Sequence, residues 1–549
     1  MASVHTSEIL AVITATEWVT TPTDTVLYMA LYGGMYQDSD NLSGAYVHYQ
    51  GRIKSDVVLD KKIGVSFWNE NSEIDFGYLD IAVEDQDPDL INYSVNVHTA
   101  NVDIYRIHRA DGTVQNGLEL IGSARSSDIG FTNESTIRFR LDSTLQGAFD
   151  APINSLYYDG TYPHLEGKPY PIAWGSILDV EQLLPSVFVD DVYLLYHITD
   201  VEISSFDSDI YDRGVALVEG TSGFVATDYG FILTQNPDGK LTAGKVTLID
   251  PEDTANELAG LFRMIRMVMT RTGVWSNVHE ADLTGLETDI GMGNAYPQYF
   301  TQKVVSVDKY LDDIFAGTGG WYYVDELSEI HFGRLECPDV ATPTINFTDA
   351  NVIGTIKIED DNAPGLSTRL SYGENPGVYD QDEIAGYVSN ADRLAMTNPE
   401  YTVETTAPVL SFYDKAASRD PIKLALSYGT SITVPGAWTA DTTVVTADST
   451  DATADGYNPG STVNQTSTEL AQTEIDRWWN DLYHKPRHFY TFDILINDTL
   501  FDASPLAHLG EVCTLQSDRF YALATAKNLV IRRTRYNYFS GLLTIEGWG

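Results

Sequence analysis

Apolar and polar residues alternate along much of this chain, and that two-residue period constrains the fold more than any other feature. Val26-Leu-Tyr-Met-Ala-Leu-Tyr32 ends at Gly33-Gly34, and Ile63-Gly-Val-Ser-Phe-Trp68 runs toward Asn69. Val102-Asp-Ile-Tyr-Arg-Ile-His108 precedes the turn Ala110-Asp111-Gly112, and Ser135-Thr-Ile-Arg-Phe-Arg-Leu141 repeats the pattern. Successive side chains of a strand point to opposite faces. Segments of this kind, bounded by Gly, Asp and Asn, therefore predict half-buried antiparallel sheet. The same reading gives strands at 192–198, 367–372, 488–494, 521–524 and 541–548, with a turn at Asn236-Pro237-Asp238-Gly239.

Three segments change period. After Asp250, a helix is predicted with Asp250 as cap, Pro251 in its first turn, and Glu252 and Asp253 at the positive end of its dipole. Leu258, Leu261, Phe262, Ile265, Val268 and Met269 form its apolar stripe, and Gly273 lies just past its end. A second helix is predicted over 306–316, with Val307, Leu311, Ile314 and Phe315 on one side. Gly317 and Gly319-Gly320 stop it, and Trp321 to Arg334 then reads as a hairpin turning near Asp325–Ser328. A third helix starts from the capping box Thr466-Ser-Thr-Glu469, with Ala471, Ile475, Trp478 and Leu482 as its stripe.

A chain of 549 residues is expected to form about three to five domains. The fold class is mainly β with an α/β insertion, in several barrel or sandwich domains. The expected units are an N-terminal β-rich domain over 1–155, a second β domain over 156–250 and a helix-containing α/β domain over 251–345. A C-terminal barrel-type domain over 346–549 follows, interrupted by the polar, low-complexity stretch 435–468.

Charge limits function. Thirty-three basic residues against 79 acidic ones give a formal net charge of −46. That balance argues against a reader of duplex DNA and against docking on anionic membranes. Hydrophobic residues at 43% still supply packed cores, so global disorder is not expected. Cys337 and Cys513 are expected to be unpaired structural thiols. The N-terminus has no basic region before its short apolar stretch, and no run reaches the ~18 apolar residues of a spanning helix. A soluble product made in a cytoplasm is expected. Tyr (33) outnumbers Phe (20), which suits surfaces buried on assembly but equally the core of a β-protein.

No constellation assigns chemistry. Gly291-Met-Gly293 lacks the third glycine of a dinucleotide loop and follows no clear strand. His279-Glu280 begins like a zinc-protease helix, but no second His follows one turn on, so a solvated loop is expected there. The clusters Glu84-Asp85-Gln-Asp87-Pro-Asp89 and Asp207-Ser-Asp209-Ile-Tyr-Asp212 gather hard oxygen ligands without the offsets of an EF-hand loop. Solvated acidic faces are the reading. No catalytic residue, cofactor or metal ligand is assigned, and the chain is not expected to be an enzyme.

Several segments resemble a known pattern. Leu165-Glu-Gly-Lys-Pro-Tyr-Pro-Ile-Ala-Trp-Gly175, Tyr193-Leu-Leu-Tyr-His-Ile-Thr-Asp200 and Asp209-Ile-Tyr-Asp-Arg-Gly214 resemble a series in tail-tip and baseplate hub proteins (minor tail proteins) of long-tailed bacteriophages. In that series a "GKP" element with a following Gly precedes a strand and a "Y-D-x-G" turn. Asp128 to Leu141 resembles the strand–turn–strand before it. Trp321–Arg334 is similar to a hairpin of the same family, with Ser328-Glu329 in place of its usual Gly turn. Ala507-His-Leu-Gly510-Glu-Val-Cys-Thr-Leu through Trp548 resembles its closing barrel. Lys168, Pro169 and Gly175 carry the resemblance, although Pro and Gly there serve equally as turn residues.

The resemblance implies a non-catalytic virion protein, assembled in the host cytoplasm, that forms a ring below the tail tube. It implies a homo-oligomer, with a trimer favoured and a hexamer possible, contacting the distal tail or tube protein, fibres and a spike. DNA would pass through its channel without specific binding, and no membrane anchor is implied. A receptor- or carbohydrate-binding tail adhesin is the first alternative, and a polysaccharide-degrading tail enzyme the second.

Overall fold

A computed structural model describes residues 5–549 apart from 17–23, 38–45, 66–71, 84–98, 176–182, 290–294, 361–366, 407–421, 436–461, 466–486, 496–508 and gaps of one to four residues. The third predicted helix, the Gly291 segment, the Glu84–Asp89 cluster and most of the 435–468 stretch lie outside the described residues.

Strands dominate, as the alternation predicts, with helices concentrated in the middle of the chain. The first large sheet pairs His5–Thr16 with Asp24–Ala30 on one side and with Ala100–Ala110 on the other. Glu119–Asn133, Thr136–Ser143 and Tyr78–Ala82 extend it. The second runs Ile345–Phe347, Val512–Leu515, Lys527–Asn537, Leu542–Trp548, His488–Leu495, Val352–Asp360. Its two edge strands are consecutive in sequence, so the sheet curls back on itself. Arg519 closes the seam: it pairs with Asp349 at 2.7 Å and donates to the carbonyls of Val352 and Gly354 at 3.1 Å each. Ser517 and Arg519 together hold the Asp349 carboxyl down at about 2.

Val58–Lys62, from the N-terminal part of the chain, pairs with Lys527–Asn537 and so joins the C-terminal sheet. One hydrophobic cluster accordingly runs through both large sheets, including Ile13, Leu59, Phe139, Leu515 and Trp548. A second, including Trp174, Phe231, Ile265, Leu283 and Tyr310, fills the middle of the chain.

The predicted hairpin, Gly320–Val324 with Ile330–Arg334, stands between the two. Trp321 and Tyr323 enter the first cluster, whereas Tyr322, Val324 and Phe332 enter the second. Two-residue alternation thus serves two cores at once, which explains why Gly320–Val324 is buried throughout.

The sequence expectations fail at five places, the first being Ile63–Val65, the described part of the expected 63–68 strand, which follows the strand Val58–Lys62 and lies in no sheet. Pro251, Glu252 and Asp253 form a turn, and the helix is Leu261–Arg271, starting after Gly260. Asp250 is buried and binds Arg266 at 2.7 Å and Arg263 at 3.5 Å, so its carboxylate anchors the helix flank instead of capping the helix. Glu287 supplies the capping oxygen from a neighbouring helix, accepting from the Phe262 amide at 3.3 Å. Val192 and Tyr193 are exposed in a turn whose amides bind the Asp190 carboxylate, and the strand begins only at Leu195. Tyr521–Leu523 is a single 3-10 turn, closed by a bond from the Ser517 amide to the Leu523 carbonyl. Finally, residues after His279 form the helix Glu280–Asp289 in place of the expected loop. Acidic Glu280 and Asp282 in its first turn and buried Leu283 and Leu286 account for it.

Candidate functional site

The motif-bearing segments converge in the middle of the chain. Residues 156–170 close a loop on themselves: the Tyr158 amide donates to Lys168, Gly167 to Tyr158, and Tyr170 to Leu156. Lys168, near its base, is exposed and Pro169 is half-buried. Gly175 is buried with φ of +90°, a conformation that glycine adopts without a Cβ penalty.

Beyond the loop, Trp174 is fully buried and its Nε1 donates to Asp200 Oδ1 at 2.7 Å. The other Asp200 oxygen accepts from Arg271 at 2.9 Å and Ser155 at 3.1 Å, and the Arg271 guanidinium lies 5.2 Å over the Trp174 ring. A carboxylate buried this deeply is tolerated only when paired and hydrogen-bonded. One polar anchor therefore ties the GKP strand, the His197–Asp200 segment and the end of the Leu261–Arg271 helix.

His197 stands beside this anchor in an aromatic pocket. Tyr158 stacks on it with centroids 5.7 Å apart, Tyr170 lies at 4.8 Å and Tyr229 at 6.2 Å. Burial holds the His197 imidazole down at about 4, so it is neutral at pH 7. Its Nδ1 faces the Tyr158 hydroxyl at 3.3 Å, and burial raises that phenol well above its usual range.

The Asp212 carboxylate accepts from the amides of Asp238 and Gly239 at 2.7 and 3.0 Å, fastening the predicted Asn236–Gly239 turn. This one described carboxylate of the Asp207–Asp212 cluster thus has a structural role; Asp207 and Asp209 lie outside the described residues.

Two other resemblance segments meet at Trp321. Its ring is wedged between Gly333 and Gly510, where an added Cβ would come within 2.1 Å of the indole from either side. In the hairpin turn Ser328 takes φ of +66°, the conformation a glycine would otherwise supply. Its carbonyl accepts from Asn277 at 2.9 Å and its hydroxyl meets Thr144 at 2.5 Å, which holds the strained residue in place.

The side chain that sequence reading missed is His331. Its Nδ1 lies 2.8 Å from Asp282 Oδ2, and its Nε2 lies 3.6 Å from Asp325 Oδ2. His279 Nδ1 lies 2.8 Å from the other Asp282 oxygen, and the two imidazole rings are 5.2 Å apart. Desolvation lowers the His331 pKa, but the hydrogen bond to Asp282 and the charge of Asp325, 3.6 Å away, outweigh it and raise the group to about 9. The pairing comes from the bridge between Val278 and Ile330, which lays the start of the Glu280–Asp289 helix against the hairpin. Linear spacing contains no trace of it.

Elsewhere, Cys513 is buried, with its thiol raised to about 12, and Cys337 accepts from Arg487 at 3.5 Å; neither forms a disulfide. Among the described residues no helix is long and apolar enough to cross a membrane.

No family model and no curated protein matches the chain. Solved structures that align with it include the 43 kDa tail protein of prophage MuSo2 from Shewanella oneidensis, at 8% identity and a TM-score of 0.38 over 99% of this chain and 98% of that one. Prophage tail protein gp18 from Listeria monocytogenes EGD-e aligns at 7% identity and a TM-score of 0.36 over 99% and 94%. A chain of the native gene transfer agent virion aligns at 13% and 0.37 over 70% and 84%. Likenesses this loose assign no role to the present chain.

Proposed function

We propose that this chain is a non-catalytic structural component of a bacteriophage tail tip or baseplate, a hub-ring subunit that closes or extends the tail tube. The observation that carries the reading is where the family-like segments lie. The GKP strand, the His197–Asp200 segment and the Trp321 hairpin hold adjoining parts of one framework together through Asp200 and Trp321. Residues used in that way belong to a scaffold, not to a reacting centre.

The ring would be a homo-oligomer, a trimer first and a hexamer second, with tube, fibre and spike proteins on its faces. Heterologous contacts that close by rotation build such rings. Exposed sheet edges are liabilities in a free subunit and become pairing surfaces in a closed one. A net charge of −46 suits a channel wall that repels phosphate, so that DNA slides without sticking. The proposed domains are 1–155, 156–250, 251–345 and 346–549, the first lending Val58–Lys62 to the sheet of the last and the middle two sharing one core, and the mature location is the virion tail.

Solution mass combined with negative-stain imaging of the purified chain tests the proposal. A closed trimer or hexamer with a central hole is expected. A monomer, or a solid elongated trimer of the kind an adhesin forms, would overturn it, as would hydrolysis of host polysaccharide by the pure protein.

A further inference from the structure

His279, Asp282 and His331 bring two imidazole Nδ1 atoms and a carboxylate together, all within 4.8 Å of one another. Each Nδ1 lies 2.8 Å from a different oxygen of the same carboxylate. Two imidazoles and a carboxylate, leaving a fourth position open, are a common protein ligand set for zinc-class ions. An ion here would take bonds of about 2.0–2.1 Å to each atom, displacing the protons that bridge the 2.8 Å contacts.

Behind the trio, Asp325 Oδ2 faces His331 Nε2 at 3.6 Å. Asp325 is itself fixed by the amides of Leu327 and Glu329 at 2.9 and 2.7 Å. A carboxylate behind a histidine keeps the proton on the remote nitrogen and turns the other lone pair toward the ion, a usual outer partner of a metal-bound histidine. The Tyr323 ring covers one face of His331, stacked at 5.0 Å, and limits its rotation.

We propose that His279, Asp282 and His331 form a binding site for a divalent zinc-class cation, oriented from behind by Asp325. Nitrogen donors select Zn²⁺, Co²⁺ or Ni²⁺ over Ca²⁺ and Mg²⁺, which prefer oxygen alone. The ion would clip the Glu280–Asp289 helix to the hairpin that separates the two cores. The site stands independently of the ring proposal.

The test uses the full chain, stripped with EDTA and dialysed against Zn²⁺, with bound metal counted by mass spectrometry. One Zn²⁺ per chain is expected above the background of weak surface acids, together with a rise in the melting temperature that Ca²⁺ does not reproduce. His279→Ala, at a half-exposed position, should leave the fold intact by circular dichroism and lower Zn²⁺ affinity at least tenfold. Asp325→Asn should lower it by about 10–100-fold, the usual size of an outer-partner effect. Zinc uptake by folded His279→Ala equal to that of the wild type would overturn the site, and so would a wild-type chain that takes up none.

Discussion

His197 and His331 both lie in the middle of the chain, and their surroundings drive them in opposite directions. His197 lies among Tyr158, Tyr170 and Tyr229, with the Tyr158 hydroxyl 3.3 Å from its Nδ1, and burial keeps it neutral with a pKa near 4. His331 is also largely buried, yet Asp282 at 2.8 Å and Asp325 at 3.6 Å raise it to about 9, so that without a metal ion the ring is charged at pH 7. Burial alone therefore says nothing about the charge of a histidine. The partner decides, because a carboxylate within hydrogen-bond reach can offset the desolvation that an aromatic wall leaves standing.

The sharpest way to break the comparison is to replace each ring by an apolar one. His331→Leu leaves Asp282 and Asp325 facing a hydrocarbon, and loss of one partner of a largely buried ion pair costs several kcal/mol. With His331 still partly exposed, a loss of about 2–3 kcal/mol is expected. His197→Phe removes one weak hydrogen bond and keeps the stacking, so a cost of at most about 1 kcal/mol is expected. Urea unfolding of both variants in EDTA, followed by tyrosine and tryptophan fluorescence, measures the difference. Equal costs would mean that His331 is not held by charge.

The pH dependence should carry opposite signs. The His331 pKa is raised above an unfolded value of about 6.5, so its contribution is full below that pH and is lost as pH rises through about 9. The His197 pKa is depressed, so above pH 6.5 neither state is protonated and nothing is lost. Between pH 6.5 and about 4 the unfolded chain takes up a proton that the folded chain refuses, and stability falls. Each slope is at most about 1.4 kcal/mol per pH unit. Subtracting the pH profile of each variant from that of the wild type isolates the two windows. A His331 difference that grew from pH 6.5 toward pH 9 would contradict the assignment.

A smaller effect separates the two carboxylates. In Asp325→Asn the Nε2 side loses its charge while Asp282 remains, so the His331 titration should move from about 9 toward neutrality without reaching it. Proton NMR of the imidazole C–H follows it, with His197 as the control that should not move.

How much of this was legible beforehand differs between the two sites. Strands were legible because period two survives in sequence: Val102–His108, Thr136–Leu141 and His488–Ile494 all lie in sheet. The hairpin and its turn were legible from Gly319-Gly320 and the aromatic run after it. The start of the Leu261–Arg271 helix was not, because its capping oxygen comes from Glu287 and its local capping candidate, Asp250, is taken by Arg263 and Arg266. The His279–Asp282 half of the metal-class cluster lies in plain view in the sequence. Its other half, His331, is brought in by a tertiary bridge that no linear pattern records.

The finest test asks whether the Tyr158 hydroxyl, rather than burial, sets His197. Burial is the single cause of the depressed pKa, and the phenol contact at 3.3 Å is long. Tyr158→Phe should therefore cost about 0.5–1 kcal/mol at most, the worth of one neutral hydrogen bond, and leave the His197 titration near 4. The Phe ring keeps the stack and the exclusion of water, which are what penalise the imidazolium. A His197 titration that rose above pH 6 in this variant would show that the hydroxyl had been holding the ring neutral. The contrast with His331 would then be one between two kinds of partner, rather than between partner and burial.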